Sequence, residues 1–176
     1  MYLRFKESVL ELKNVKNLCF LSLLIVLKIV VSSLRIVISP YIQISFGFLI
    51  YIVVGCLFGI FCSVILAILS YILSFFVGFS NFFHVGFLVS SIFSAFIYSV
   101  FLYKKKFSYK RVVFATIVND ILVHFFLNII WLSQLFYGGN FVNAFILRVP
   151  KNFVMLPIDC VLSFFVLAFV RKLLRY

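Results

Sequence analysis

The chain has 176 residues, 66% of them hydrophobic and 11% charged, with a mean hydropathy of +1.28. Soluble globular proteins carry about 25% charged residues, so these values exclude a soluble domain and indicate an integral membrane protein. Sixteen Lys and Arg stand against four Asp and Glu, a balance that fits either an acidic partner such as nucleic acid or the Lys/Arg enrichment of cytoplasmic loops.

At roughly 20 apolar residues per spanning helix, the length accommodates about six spans in one bundle. Residues 1–17 interleave Arg4, Lys6, Lys13 and Lys16 with Glu7 and Glu11 at helical spacing, which predicts a short interfacial helix. No small-residue cleavage site follows the first apolar run, which argues against a removable signal peptide. The first span, 18–34, is interrupted only by Lys28. An ionisable residue inside a span is a functional candidate, yet Lys28 is near enough to the span's end for its stem to carry the amine to the interface, and both readings stand. Residues 35–43 form the first loop, broken by Ser39-Pro40.

The second span, 44–56, turns through Gly55-Cys56-Leu57-Phe58-Gly59 into the third, 59–77. Across that turn Gly55, Gly59, Ser63 and Ala67 recur every four residues, a face suited either to close packing within the bundle or to docking of a partner subunit. A short loop with His84 leads into the fourth span, 85–103, where Gly86, Ser90 and Ser94 repeat the spacing. After the basic hinge at 104–111, the fifth span covers 112–135. A loop to Val149 precedes the sixth span, 151–170, which Pro157 is expected to kink. Cys19, Cys56, Cys62 and Cys160 form no Cys-x-x-Cys pair and read as packing residues.

Mapping the charges tests this topology. With the N-terminus inside, twelve basic residues (Arg4, Lys6, Lys13, Lys16, Lys104, Lys105, Lys106, Lys110, Arg111, Arg171, Lys172, Arg175) fall on inner segments and three (Arg35, Arg148, Lys151) on outer ones. The asymmetry predicts an all-α integral membrane protein, a six-transmembrane-helix bundle forming a single domain over 1–176 with N- and C-termini cytoplasmic. It also makes a nucleic-acid partner unnecessary.

The three outer basic residues break the rule that explains the other twelve. Gathered at one end of the bundle, they would hold one or two carboxylates through charge-assisted hydrogen bonds, or else contact lipid headgroups. Trp131, Phe136 and Tyr137 at the same end read as an interfacial aromatic belt, or as a platform for a planar ligand whose polar edges meet Asn128 and Asn152. Signals for an enzyme are thin. Asp120 and His124 share a helical face and Asp159 lies mid-way along the sixth span, a set that would suit a small intramembrane enzyme. Two histidines, one of them in an outer loop, cannot supply a typical zinc site, and the chain has neither a nucleophile motif nor a phosphate loop. Asp120 therefore reads first as a structural partner of His124 or of another span, and neither a metal nor another cofactor is expected.

Several blocks, in order, resemble the folate-specific S component, the substrate-capture subunit, of energy-coupling factor (ECF) vitamin transporters. Leu127, Asn128, Trp131, Leu132, Ser133, Tyr137 and Gly138 match a Leu-Asn-x-x-Trp-Leu-Ser run reaching Tyr-Gly, and Arg148, Lys151, Asn152, Leu156, Pro157 and Ile158 match the next block. Glu11 to Asn14, Leu27-Lys28, Ile44 to Leu49 and Leu57-Phe58-Gly59 also look like the family. The chain departs from it at Ser33, Gln43 and Ser70, where basic, basic and acidic residues are common, and at Ser22 and Val26 on the first span.

The resemblance implies a subunit of a bacterial cell membrane that captures folate at the outer face for ATP-driven uptake. Its partners would be a transmembrane scaffold subunit and two cytoplasmic ATPases, and the loop between the first two spans would act as a lid. The implied substrate contacts are Arg35, Gln43 and Phe46 near the lid, with Asn128, Trp131, Tyr137, Arg148, Lys151 and Asn152 from the fifth and sixth spans. Another anionic vitamin or precursor is the alternative cargo.

Overall fold

The computed structural model describes residues 8, 14–34, 36–39, 42–78, 83–105, 108–136 and 138–174. Helix α1, Val15–Ser33, starts at Asn14, whose side chain accepts a hydrogen bond from the Lys16 amide at 3.1 Å, the N-cap arrangement that satisfies an otherwise unpaired donor. Most of the expected interfacial helix at 1–17 lies outside the described residues. Leu21, Leu24, Ile25, Lys28 and Ile29 form one buried stripe, while Leu23, Val26, Leu27 and Val30 are exposed. An apolar outer face of this kind is stable only against lipid.

Among the described residues, strands occur only between α1 and α2. There β1, Ile36–Ser39, pairs antiparallel with β2, Ile42–Ile44, in the register Ile36↔Ile44, Val37↔Gln43 and Ser39↔Ile42, with an irregularity between Val37 and Ser39. The segment expected as a loop is thus a hairpin, because β-branched residues flank the Ser39-Pro40 break on both sides.

Helix α2, Phe48–Leu57, and α3, Ile60–Phe76, follow, then α4, Val85–Leu102. Helix α4 packs on α2, α3 and the fifth-span helix, and its Ala95, Tyr98 and Ser99 are fully buried. The small residues found in the sequence serve this packing. A Cβ on Gly55 would lie 3.0 Å from the Ser99 amide nitrogen, so α2 and α4 approach backbone to backbone, and Ser63 and Ala67 are likewise fully buried.

The next long helix changes its winding midway: α5, Tyr109–Asn119, passes into a π-helical segment, Asp120–Leu127, and then into α6, Asn128–Phe136. Two glycines with positive φ end it, Gly138 at +57° and Gly139 at +85°, with the Gly139 amide donating to the Ser133 carbonyl at 2.9 Å. The left-handed turn that closes a helix C-terminus costs glycine no Cβ clash. Helix α7, Phe141–Leu174, then begins ten residues ahead of the expected sixth span and keeps Pro150 and Pro157 inside it. Arg148 therefore stands on a helix, not in a loop.

Among the described residues, four helices are long and apolar enough to cross a membrane: Val15–Ser33, Val85–Leu102, Tyr109–Leu135 and Phe141–Val170. Phe48–Leu57 and Ile60–Phe76 are shorter apolar helices. The molecule is a helical membrane bundle.

Candidate functional site

The end of α3, the start of α4, the end of α6 and the start of α7 meet at one end of the bundle, because successive helices alternate in direction. There Trp131 of α6 lies flat over Gly86 of α4. A Cβ on Gly86 would stand 2.6 Å from Trp131 Cγ and 2.7 Å from Cε3, so only a residue without a side chain admits the indole. His84 braces the same ring, with centroids 5.9 Å apart and planes inclined by 54°.

His84 is itself held on three sides. Its Nδ1 accepts from the Gly86 amide at 3.1 Å, capping α4, while Tyr71 Oη donates to the His84 carbonyl at 2.9 Å and accepts from its amide at 3.2 Å. The indole is thus positioned by a chain of fixed contacts running from α3 through α4. Sequence reasoning placed His84 in a loop and did not connect it, Tyr71 or Gly86 with Trp131. The one available signal was the glycine opening the small-residue repeat of the fourth span.

The π-helical winding orients the second part of the site. Ile121, Leu122, Phe126 and Ile130 are exposed along one side, which marks the lipid face. His124, Asn128 and Trp131 project to the other side, toward α7 and α4. His124 nonetheless retains 40% of its side-chain accessibility. Asn128 Nδ2 lies 3.2 Å from His124 Nδ1, and Asn152 Nδ2 of α7 donates to the His124 carbonyl at 3.2 Å. Where i→i−5 bonding gives way to i→i−4 bonding a carbonyl is skipped, and side chains commonly take it up at functional sites.

The structure thus joins Asn128 and Asn152 through His124. Arg148 and Lys151 are half-buried within electrostatic reach of His124 and of each other. Two polar atoms on this wall, Trp131 Nε1 and Asn128 Oδ1, are buried without a hydrogen-bond partner. One is a donor and the other an acceptor, and buried groups left this way call for an explanation.

The remaining sequence-derived candidates lie on or beside the hairpin. Phe46 is half-buried where the chain enters α2, and the Gln43 backbone pairs with Val37, its side chain being outside the described residues. Arg35 and Tyr137 are outside them as well. Lys28 turns inward and not to the interface: it is 7% exposed, its Nζ donates to Ser70 Oγ at 2.7 Å and it stands 4.7 Å from the Tyr51 ring centroid. Asp120 lies 3.9 Å from His124 Nε2 and takes a 3.5 Å contact from Asn119 Nδ2. Among the described residues no three His, Cys, Asp or Glu side chains come together as metal ligands.

Residues 16–167 match the family model described as ECF transporter, substrate-specific component. The chain belongs to that family. Among proteins of known function, this substrate-specific component is 31% identical over 153 residues to the folate transporter FolT of Clostridium novyi (strain NT), covering 87% of this chain and 88% of that protein. Among solved structures, the crystal structure of FolT bound with folic acid superimposes with a TM-score of 0.78 at 26% identity, covering 86% of this chain and 92% of that one.

Proposed function

We propose that this substrate-specific component binds folate at the outer end of its bundle and delivers it for ATP-driven uptake. The observation that carries the reading is the grouping of aromatic, amide and cationic side chains around His124, which keeps 40% of its side-chain accessibility. A fixed indole forms one wall and two amide side chains flank it, with two cationic residues alongside. Folate presents complementary chemistry: a flat pterin to stack on Trp131, polar ring edges for Asn128 and Asn152, and a glutamate tail for Arg148, Lys151 and Arg35. Stacking of a heterocycle on an aromatic residue contributes about 1–3 kcal/mol, and a hydrogen bond to a charged group about 1.5–3 kcal/mol. The likeness to FolT proteins supports this cargo over another anionic vitamin.

The finer architecture belongs to the same proposal. Six helices span the bacterial cell membrane with both termini cytoplasmic, in accord with the charge asymmetry. The β1–β2 hairpin, with Phe46 just after it, serves as the lid, and Gln43 and Tyr137 contribute further contacts to the vitamin. A transmembrane scaffold and two cytoplasmic ATPases supply the energy, as membership of the ECF family implies.

Trp131 is the sole tryptophan, so its emission reports directly on the site. Folate added to the purified chain changes that emission and releases or absorbs heat in calorimetry. Absence of both responses would overturn the reading, whereas a different vitamin found by mass spectrometry in the purified protein would redirect it to that cargo.

A further inference from the structure

The first turn of α4 is held by a group that a single proton can disarm. His84 is the N-cap of that helix, with extended backbone at φ -135° and ψ 124°, and its Nδ1 accepts from the Gly86 amide at 3.1 Å. A backbone amide only donates, so Nδ1 carries a lone pair and the imidazole is neutral, with its hydrogen on Nε2. Asn, Ser and Thr, the usual N-caps, accept through an oxygen at every working pH; an imidazole does so only while neutral.

The turn that this cap holds belongs to the site. Gly86 is buried and forms the floor on which the Trp131 indole lies. His84 itself is half-buried, so protons reach it. Once protonated, both ring nitrogens are donors, and no rotation of the ring lets it accept from the Gly86 amide. A positive charge at a helix N-terminus also opposes the helix dipole, and the first turn of α4 has no acidic residue to offset it. An imidazolium is still drawn to an indole face, but it no longer pins the turn beneath that face.

The groups packed around the ring leave His84 as the one that responds. Tyr71 of α3 is titratable, but it acts as a neutral phenol, donating to the His84 carbonyl and accepting from the His84 amide. Phe87 of α4 and Trp131 of α6, with ring centroids at 5.7 Å and 5.9 Å, carry no titratable group. The preceding residues, Phe79 to Phe83, include no ionisable side chain. Of these residue types, histidine is the one that changes charge between about pH 5 and 8.

We propose that His84 is a proton-operated latch on the Trp131 wall. Neutral, it pins the first turn of α4 beneath the indole; protonated, it releases that turn, and the wall loosens as the surrounding medium acidifies. The cap is present while the ring is neutral and absent once it is charged, so its contribution to stability is lost as pH falls. The accompanying fall in folate affinity rests on the proposed function; the latch itself does not.

The latch is read on the full chain in detergent without vitamin, by thermal unfolding and Trp131 emission between about pH 8 and about pH 5.5. Acid lowers the Tm and shifts the emission. His84→Asn, which keeps an accepting cap that does not titrate, removes the emission shift and reduces the fall in Tm by about 2–6 °C. In His124→Gln, His84 is the sole histidine, and both responses persist; this variant decides the matter if His84→Asn folds poorly. Calorimetry then shows the folate Kd rising about threefold to tenfold at the lower pH in the unmodified chain but not in His84→Asn. Equal pH responses in the unmodified chain and His84→Asn overturn the proposal, as does loss of the response in His124→Gln. A latch that responds in a chain binding no folate at any pH supports this inference and overturns the vitamin reading instead.

Discussion

Gly86→Ala is the sharpest probe of the proposed stacking wall. The added Cβ would come nearest to Trp131 Cδ2, with Cγ at 2.6 Å, where ordinary contact begins near 3.4 Å, so the indole must retreat by about 1 Å. It has little room to do so, because neighbouring Ile129 and Leu132 are 0% and 4% exposed and His84 stands beside the ring. Overpacking of this kind costs about 1–3 kcal/mol of stability. Displacing the ring also forfeits a large part of a stacking interaction of about 1–3 kcal/mol, so the folate Kd should rise about tenfold. Calorimetry with folate measures the affinity and Trp131 emission reports the ring's environment. Gly55→Ala is a matched control, because its Cβ meets Ser99 at 3.0 Å away from the indole; it should lower the Tm and leave Kd unchanged. A Gly86→Ala protein whose Kd stays within twofold of the unmodified chain would refute Trp131 as the stacking face.

Three other outcomes follow from named contacts. Arg148→Ala and Lys151→Ala should each weaken folate binding by about tenfold to a hundredfold, the loss of one charge-assisted hydrogen bond, as read by calorimetry; unchanged affinity would remove that residue from the site. Asn152→Ala strips the donor from the His124 carbonyl, costing about 1–3 kcal/mol, or a Tm lower by about 2–10 °C; an unaltered melt would show that the bond carries no weight. Lys28→Met should leave the Tm unchanged or raised, since Ser70 keeps its bond to the Ala67 carbonyl at 3.2 Å and well-packed apolar replacements of buried charges are often neutral or stabilising. A drop in folate affinity in that variant would move Lys28 into the site.

The helical runs were legible because lipid exposure demands long apolar segments, but their bounds were less so: α7 runs through Arg148 and Lys151, where a loop and the start of the sixth span were expected. Asn128, Trp131, Arg148, Lys151 and Asn152 stood out as polar or aromatic exceptions, and the structure brings Asn128 and Asn152 onto one histidine. Other features leave no such mark. Helical periodicity does not distinguish Asp120–Leu127 in π winding from an ordinary α-helix over so short a run. Pro150 looked like a helix boundary, yet α7 continues through it; neighbouring helices can compensate the missing donor in a membrane. His84 looked like a loop residue because an N-cap is one by sequence, and only the fold shows that Tyr71 fixes it beneath Trp131.

The π-helical segment also bears on how this chain is compared or edited. Because the wide turn takes up one residue more than an ordinary turn, removing one residue between Asp120 and Leu127 would let the segment relax to α winding and leave Asn128 and Trp131 close to their present faces. Removing one residue from the α-helical stretch before it would instead turn everything beyond by about 100° and draw it back by about 1.5 Å. Between two such proteins a single-position gap inside the π-helical segment is therefore compatible with an unchanged vitamin wall, whereas the same gap in Tyr109–Asn119 is a rotation of it.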